Sequence, residues 1–185
     1  MININNIGKL KKCRVWLEEL PLYEYKPAKV LSSILETSIC MSRENQKIAI
    51  EIFVAPRYYA FLGAEYVYKE INNLEIHVNV SNDSGEIITE TLALPSDKVH
   101  LGISNEYAQT ILNTSMEVFM KLSVIPSGIL TFNIGGFSDY GSNQVIFKKV
   151  TSIIVRLLVS NIKNTEIDKI ENIVKNEVDK PLTDI

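Results

Sequence analysis

Strict alternation is the clearest pattern in the chain. Ile48, Ile50, Ile52 and Val54 alternate with Ala49, Glu51 and Phe53. A period of two predicts a strand starting near Gln46, with one face buried, closed by Pro56. Leu74, Ile76, Val78 and Val80 alternate with Glu75, His77 and Asn79, predicting a second strand. The tyrosine-rich stretch between them, Tyr58 to Ile71, fits helix or strand. Asn82-Asp83-Ser84-Gly85 is turn chemistry, because Asn, Asp and Gly tolerate positive φ. Ile88, Glu90, Leu92 and Leu94 follow it as an outgoing strand, so the two runs predict an antiparallel hairpin.

The period then changes. Tyr107, Ile111, Ser115, Val118, Phe119 and Leu122 recur at helical spacing, with Ser104 as N-cap, Glu106 in the first turn and Pro126 beyond the end. Ile129 to Ile134 reads as a strand ended by Gly135-Gly136. A polar loop, Ser138 to Asn143, leads into a helix carrying Val150, Ile153, Ile154, Leu157 and Leu158 on one side. Near the C-terminus Thr165 can cap a helix with a narrow apolar stripe, Ile167, Ile170, Val174 and Val178, stopped by Pro181. The first forty-five residues read as a short strand through Cys13, Val15 and Leu17. A helix over roughly 27–40 follows, from the spacing of Val30, Leu31, Ile34, Leu35 and Ile39 after Pro27.

Segregated strands and helices of this kind predict an α+β fold. The expected form is a two-layer α/β sandwich over 46–160, an antiparallel-rich sheet with helices on one face. Residues 1–45 form an N-terminal extension of strand and helix, and residues 161–185 a C-terminal amphipathic helix and tail. Asn161 and Asn164 mark the expected hinge between the last two helices.

Composition narrows the function classes. The 185 residues are 46% hydrophobic and 22% charged, which excludes a disordered or collagen-like chain. Nineteen Lys+Arg against twenty-two Asp+Glu give a net charge of −3, so avid phosphate-driven binding of nucleic acid is not expected. Contact with nucleic acid is left to a local patch at Lys9, Lys11, Lys12 and Arg14. Cys13 and Cys40 lack metal-ligand or redox spacing, and Met1 to Gly8 lacks the pattern of a secretory signal. The expected setting is cytoplasmic, with free thiols, and no stretch is apolar for long enough to suggest a membrane span.

Catalytic chemistry is sparse. The chain has no Walker phosphate loop, Rossmann glycine fingerprint or EF-hand loop. His77 and His100 are its two histidines. Neither has a carboxylate or thiolate at metal-ligand spacing, so no metal and no cofactor is expected. Glu18-Glu19 reads as a solvated strand end, and Glu65 with Glu70 can straddle two faces of the tyrosine-rich stretch, so neither carboxylate pair suits acid–base work. Tyr58, Tyr59, Tyr66 and Tyr68 fit sheet packing or a stacking surface. Phe137 and Tyr140, aromatic residues in an expected loop, are candidates for contact with a partner.

With these residues in place, Gly102-Ile103-Ser104-Asn105-Glu106-Tyr107-Ala108, the following helix, and Ile129 to Val150 resemble the latter half of domain IV of elongation factor G and related translational GTPases. In that likeness Gly135 matches the turn glycine, Phe137 the aromatic, Ser142 a serine, Gln144 the glutamate and Phe147 the phenylalanine. Ser138 stands where the family has its tip histidine, and Ile134 where it has an acidic residue. The resemblance is carried by 102–150 and extends by element order over 46–160. It implies a sandwich with a left-handed βαβ crossover and a tip loop that reaches into the ribosome. Without a Walker loop, no GTP hydrolysis is implied. The expected function is a stand-alone, non-enzymatic binding module with the ribosome or another protein as partner. Its contact residues are Gly135, Gly136, Phe137, Ser138, Tyr140 and Asn143. The alternative is a protein-interaction or self-assembling component that reuses the fold, with the 167–178 stripe as a route to a homo-oligomer.

Overall fold

The computed structural model describes residues 1–38, 44–82, 85–163 and 165–181. It is an α+β structure in which one open, mixed sheet of nine strands carries three helices. The strands are β1 (Ile2–Ile4), β2 (Lys11–Leu17), β3 (Lys29–Glu36), β4 (Gln46–Val54), β5 (Tyr58–Tyr68), β6 (Asn73–Val80), β7 (Ile87–Ile88), β8 (Val99–Leu101) and β9 (Gly128–Ser138). The helices are α1 (Asn105–Leu122), α2 (Gln144–Ser160) and α3 (Ile167–Asp179). The main sheet runs in the order β1-β2-β4-β5-β9-β6-β3, and β8 joins β9 beside β7. All pairings are antiparallel except β6 with β9, which are parallel and connected through α1.

The alternation read from the sequence sets the helical face. Val15, Ile50, Leu62, Phe132, Ile76 and their neighbours line one side of five strands and are buried. On that side α1 packs on β6 and β3, α2 packs on β4 and β5, and α3 lies against α2. The stripe of residues 167–178, which could pack inward or pair with a second copy, packs inward through Ile170, Val174 and Val178, while Ile167 stays exposed. Lys149 of α2 reaches the C-terminus of α3. Its Nζ donates to the carbonyls of Glu177 (3.0 Å), Val178 (3.3 Å) and Lys180 (2.6 Å).

A β-bulge decides where the end of β9 points. Gly63 pairs with Ile134 but Ala64 pairs with Phe132, leaving Asn133 as the extra residue. One added residue inverts the facing of everything beyond it. Phe132 therefore joins the core under the helices, and Ile134 joins a second cluster on the opposite, outer face. Gly63 gives Ile134 its space, because a Cβ there would lie 2.3 Å from the Ile134 Cγ2.

Several sequence expectations are corrected. The stretch 29–36 is a strand rather than part of a helix over 27–40, and Ile39 and Cys40 lie outside the described residues. Leu31 and Leu35 are four apart, a spacing shared by a helix face and by every second residue of a strand. Here the strand wins, with all eight residues of β3 in register against β6. The hairpin of 74–80 with 88–94 does not form. Both edges of β6 are taken, by β3 and β9, so the later segment crosses to the outer face and pairs only as Ile87–Ile88 with β8. Gly135-Gly136 does not end a strand, for β9 continues to Ser138. Glu166, not Thr165, immediately precedes α3, and Asn161 ends α2 in a left-handed conformation. Asn164 lies outside the described residues. The tyrosine-rich stretch resolves as β5, with Tyr59 and Tyr66 buried.

Candidate functional site on the outer face of the sheet

Register builds the site. Arg14 of β2 pairs with Glu51 of β4, and Glu51 pairs with Phe61 of β5, so the three side chains form one row across the outer face. One step along, Trp16, Ala49 and Gly63 form the next row. This face is too apolar to be left to water. Residues 20–25 and 88–93 cover part of it, bringing Leu20, Tyr23, Tyr25, Ile88 and Leu92 onto the sheet. The Tyr23 ring meets Phe61 edge-on at 6.1 Å, and Trp16 meets it at 6.0 Å. Between the two covering segments an open cleft of about 600 Å³ remains, lined by Arg14, Trp16, Tyr23, Glu51, Tyr59 and Phe61 among others.

Glu51 is the unusual group, a carboxylate 3% exposed in the centre of a strand. Its Oε1 accepts from the Leu92 backbone N–H (2.7 Å) and the Tyr59 hydroxyl (3.0 Å), and its Oε2 accepts from Arg14 Nη1 (3.2 Å). Burial raises its pKa above the ordinary value, against the opposing pull of the Leu92 amide and Arg14. Burial also pushes the Tyr59 hydroxyl up, and the adjacent Glu51 carboxylate adds to the rise. The result is a polar post in an apolar floor, holding the 88–93 segment down through Leu92. Both carboxylate oxygens are engaged by protein donors, so Glu51 shapes the cleft rather than offering a free base. Arg14 uses Nη1 for Glu51 and for the Glu90 carbonyl (3.4 Å).

The residues singled out from sequence lie elsewhere, and they do not form a projecting finger. Gly135 and Gly136 are interior to β9, opposite Leu62 and Phe61. A Cβ on Gly135 would approach Ile103 Cγ1 to 2.8 Å, so close packing, not a turn, requires glycine there. Phe137 stacks on His100 (5.5 Å) and leans on Tyr107, which itself stacks on Phe147 at 4.4 Å. Ser138 is buried, and its Oγ accepts from the Gly141 N–H (2.9 Å). The Ser142 hydroxyl donates to the Tyr59 carbonyl (2.7 Å), stitching the turn to the start of β5. Asn143 caps α2 by accepting from the Ile146 N–H (3.0 Å). Tyr140, 71% exposed, is the aromatic group of this turn that reaches solvent.

The other candidates also separate. Of the basic cluster, Lys9, Lys11 and Lys12 line a separate hollow beside Asn3, Asn5 and Asn6, with Lys11 paired to Asp179 of α3, whereas Arg14 turns to Glu51 on the outer face. His100 lies 2.9 Å from Asp139 and His77 3.5 Å from Glu75, on different strands and outside the cleft. Among the described residues no group of three His, Cys, Asp or Glu side chains is placed to hold a metal ion. Nor is any helix among them long and apolar enough to cross a membrane. The missed signal was Glu51 itself. It lies between Ala49 and Phe53 on what alternation would make the wet face, and that face is more apolar than water exposure favours. No protein-family model, curated protein or solved structure matches the chain.

Proposed function

We propose that the protein is a non-enzymatic binding module that receives an apolar or aromatic group, carrying a hydrogen-bond acceptor, in the outer-face cleft. The observation behind this reading is the Arg14–Glu51–Tyr59 post standing among Trp16, Tyr23 and Phe61 in an open cleft of about 600 Å³. Clefts of this size with apolar walls and few polar groups suit small molecules or single side chains. Trp16 and Phe61 supply the walls, and the exposed part of Arg14 supplies donors for a carbonyl or carboxylate. A cytoplasmic setting accords with Cys13, a free thiol buried in the core.

The chain's one tryptophan lines the cleft, so its fluorescence reports occupancy. Titration with N-acetyl-phenylalaninamide and N-acetyl-leucinamide is expected to give a saturable change. Tyr23→Ala is expected to weaken binding by roughly tenfold, the worth of one aromatic contact. A linear, unsaturable response to both probes would rule the cleft out as a binding site.

A second reading follows from the element order β4-β5-β6-β7-β8-α1-β9-α2, in which β6 and β9 are parallel neighbours in the sheet. Strands followed by helix, strand and helix is the element order on which the resemblance to elongation factor G domain IV rests, and with the exposed Tyr140 it supports a ribosome-associated role in which that tyrosine makes contact. Co-sedimentation with ribosomes in moderate salt is expected to enrich the protein, and Tyr140→Ala to reduce recovery. Phe137 is unsuited to the test, since its truncation would disturb packing. Absence from the ribosomal pellet would end this reading.

A further inference from the structure

We infer that β3 is a self-pairing edge, through which two copies of the chain join their sheets about a two-fold axis at Ser32. Among the described residues β3 is the last strand of the sheet and is bonded on one side only, to β6. Its eight residues contain no proline, glycine or bulge, and its charges, Lys29 and Glu36, stand at its two ends. Protective devices common on exposed edges are therefore missing from the middle of the strand.

The hydrogen-bonding phase is set by the ladder. One pair beyond it, Thr37 donates to the Asn72 carbonyl, so odd-numbered residues of β3 direct their backbone groups to β6. Val30, Ser32, Ile34 and Glu36 then turn N–H and C=O toward the open edge. Val30 and Ile34 are also exposed apolar side chains, 51% and 61% accessible, spaced evenly about Ser32 on one face.

A second copy fits this edge better than an unrelated strand does. Paired residues in an antiparallel ladder point to the same face, so a two-fold axis must pass at a residue position rather than between two. At Ser32 it sets Val30 of one copy against Ile34 of the other, twice, with Ser32 facing Ser32. All three pairs are hydrogen-bonded pairs, and the exposed apolar groups cover each other. Centring on Ser33 would instead place Val30 against Glu36. The antiparallel arrangement brings the acidic end of each strand beside the basic end of the other, whereas parallel pairing would set Lys29 on Lys29. The interface is isologous and closed, giving a dimer rather than a filament.

Sedimentation velocity on the full chain is expected to show a dimer at about 100 µM that dissociates on dilution, as a small interface does. Proline is tolerated on an edge strand where the N–H faces outward. Ser32→Pro should therefore leave the fold intact and raise the dimer dissociation constant at least about tenfold, and Ile34→Lys should do the same by placing charge on the edge. In a Cys40→Ser background, Ser32→Cys is expected to form a disulfide-linked dimer under mild oxidation, since facing residues of such a pair lie within disulfide reach. Ser33→Cys is expected not to. A monomer at every concentration overturns the inference. So does a dimer unchanged by both Ser32→Pro and Ile34→Lys, or cross-linking that favours Ser33→Cys.

Discussion

Replacing Glu51 with alanine is expected to destabilise the protein by about 3 kcal/mol, near the low end for breaking a buried ion pair. The loss has three sources. The Leu92 N–H and the Tyr59 hydroxyl lose their shared acceptor, Arg14 loses its counter-charge, and the 88–93 segment loses its tether to the sheet. Arg14 can turn partly to water, which keeps the figure from the upper end of the range. Urea unfolding of both proteins measures it, and a difference under about 1 kcal/mol would mean that the post bears no structural weight.

Charge and shape at this position separate through pH. Burial raises the Glu51 pKa in the folded state above its ordinary 4.5, so the folded protein holds that proton more tightly than the unfolded chain. The stabilisation linked to that proton is complete below the ordinary value and is lost as pH rises through the folded pKa. Most native carboxylates contribute with the opposite sign. Glu51→Gln keeps an acceptor for Leu92 and cannot ionise. Its stability relative to the wild type is therefore expected to rise with pH across that window. A flat difference curve from urea titrations over the same range would contradict the raised pKa.

Lys149→Met is expected to cost about 3 kcal/mol, because a charge-assisted hydrogen bond contributes about 1.5–3 kcal/mol and this ammonium makes several. It closes the C-terminus of α3 by bonding two of its last carbonyls, Glu177 and Val178, and that of Lys180 just beyond, where a cation also favours the helix dipole. Glu177 would not be stranded, since Arg156 Nε remains 2.6 Å away and Lys180 also pairs with it. The loss should therefore fall on α3 first. Amide exchange across 167–179 is expected to accelerate before the sheet is affected. Protection of α3 equal to that of the wild type would show that apolar packing alone holds it.

Much of the helical layer was legible from residue spacing. Ile48, Ile50 and Ile52 marked their strand because one buried face imposes a period of two. Tyr107, Ile111, Val118 and Phe119 marked α1 because a helix buries one stripe. The segment 29–36 was not legible, because its leucines satisfy both periods and only pairing with β6 distinguishes them. Neither was the role of Gly135 and Gly136. A double glycine before a polar stretch reads locally as a turn, yet here it lets Gly102 and Ile103 approach the interior of a long strand, with the Gly102 N–H donating to the Gly135 carbonyl at 2.7 Å.

The candidate site shows the same division. The sequence by itself determined an α+β chain with a sheet, two amphipathic helices after it and a third near the C-terminus, because burial of one face writes a periodic signal into neighbouring residues. It could not bring Arg14, Glu51 and Phe61 together, for they come from three strands whose alignment is a matter of register. It could not show that Asn133 is an extra residue that reverses the facing of Phe137, or that β6 is enclosed by β3 and β9. Those were decided by the tertiary structure alone, since strand order, register and bulges arise from contacts between residues far apart in the chain, which leave no local period to read.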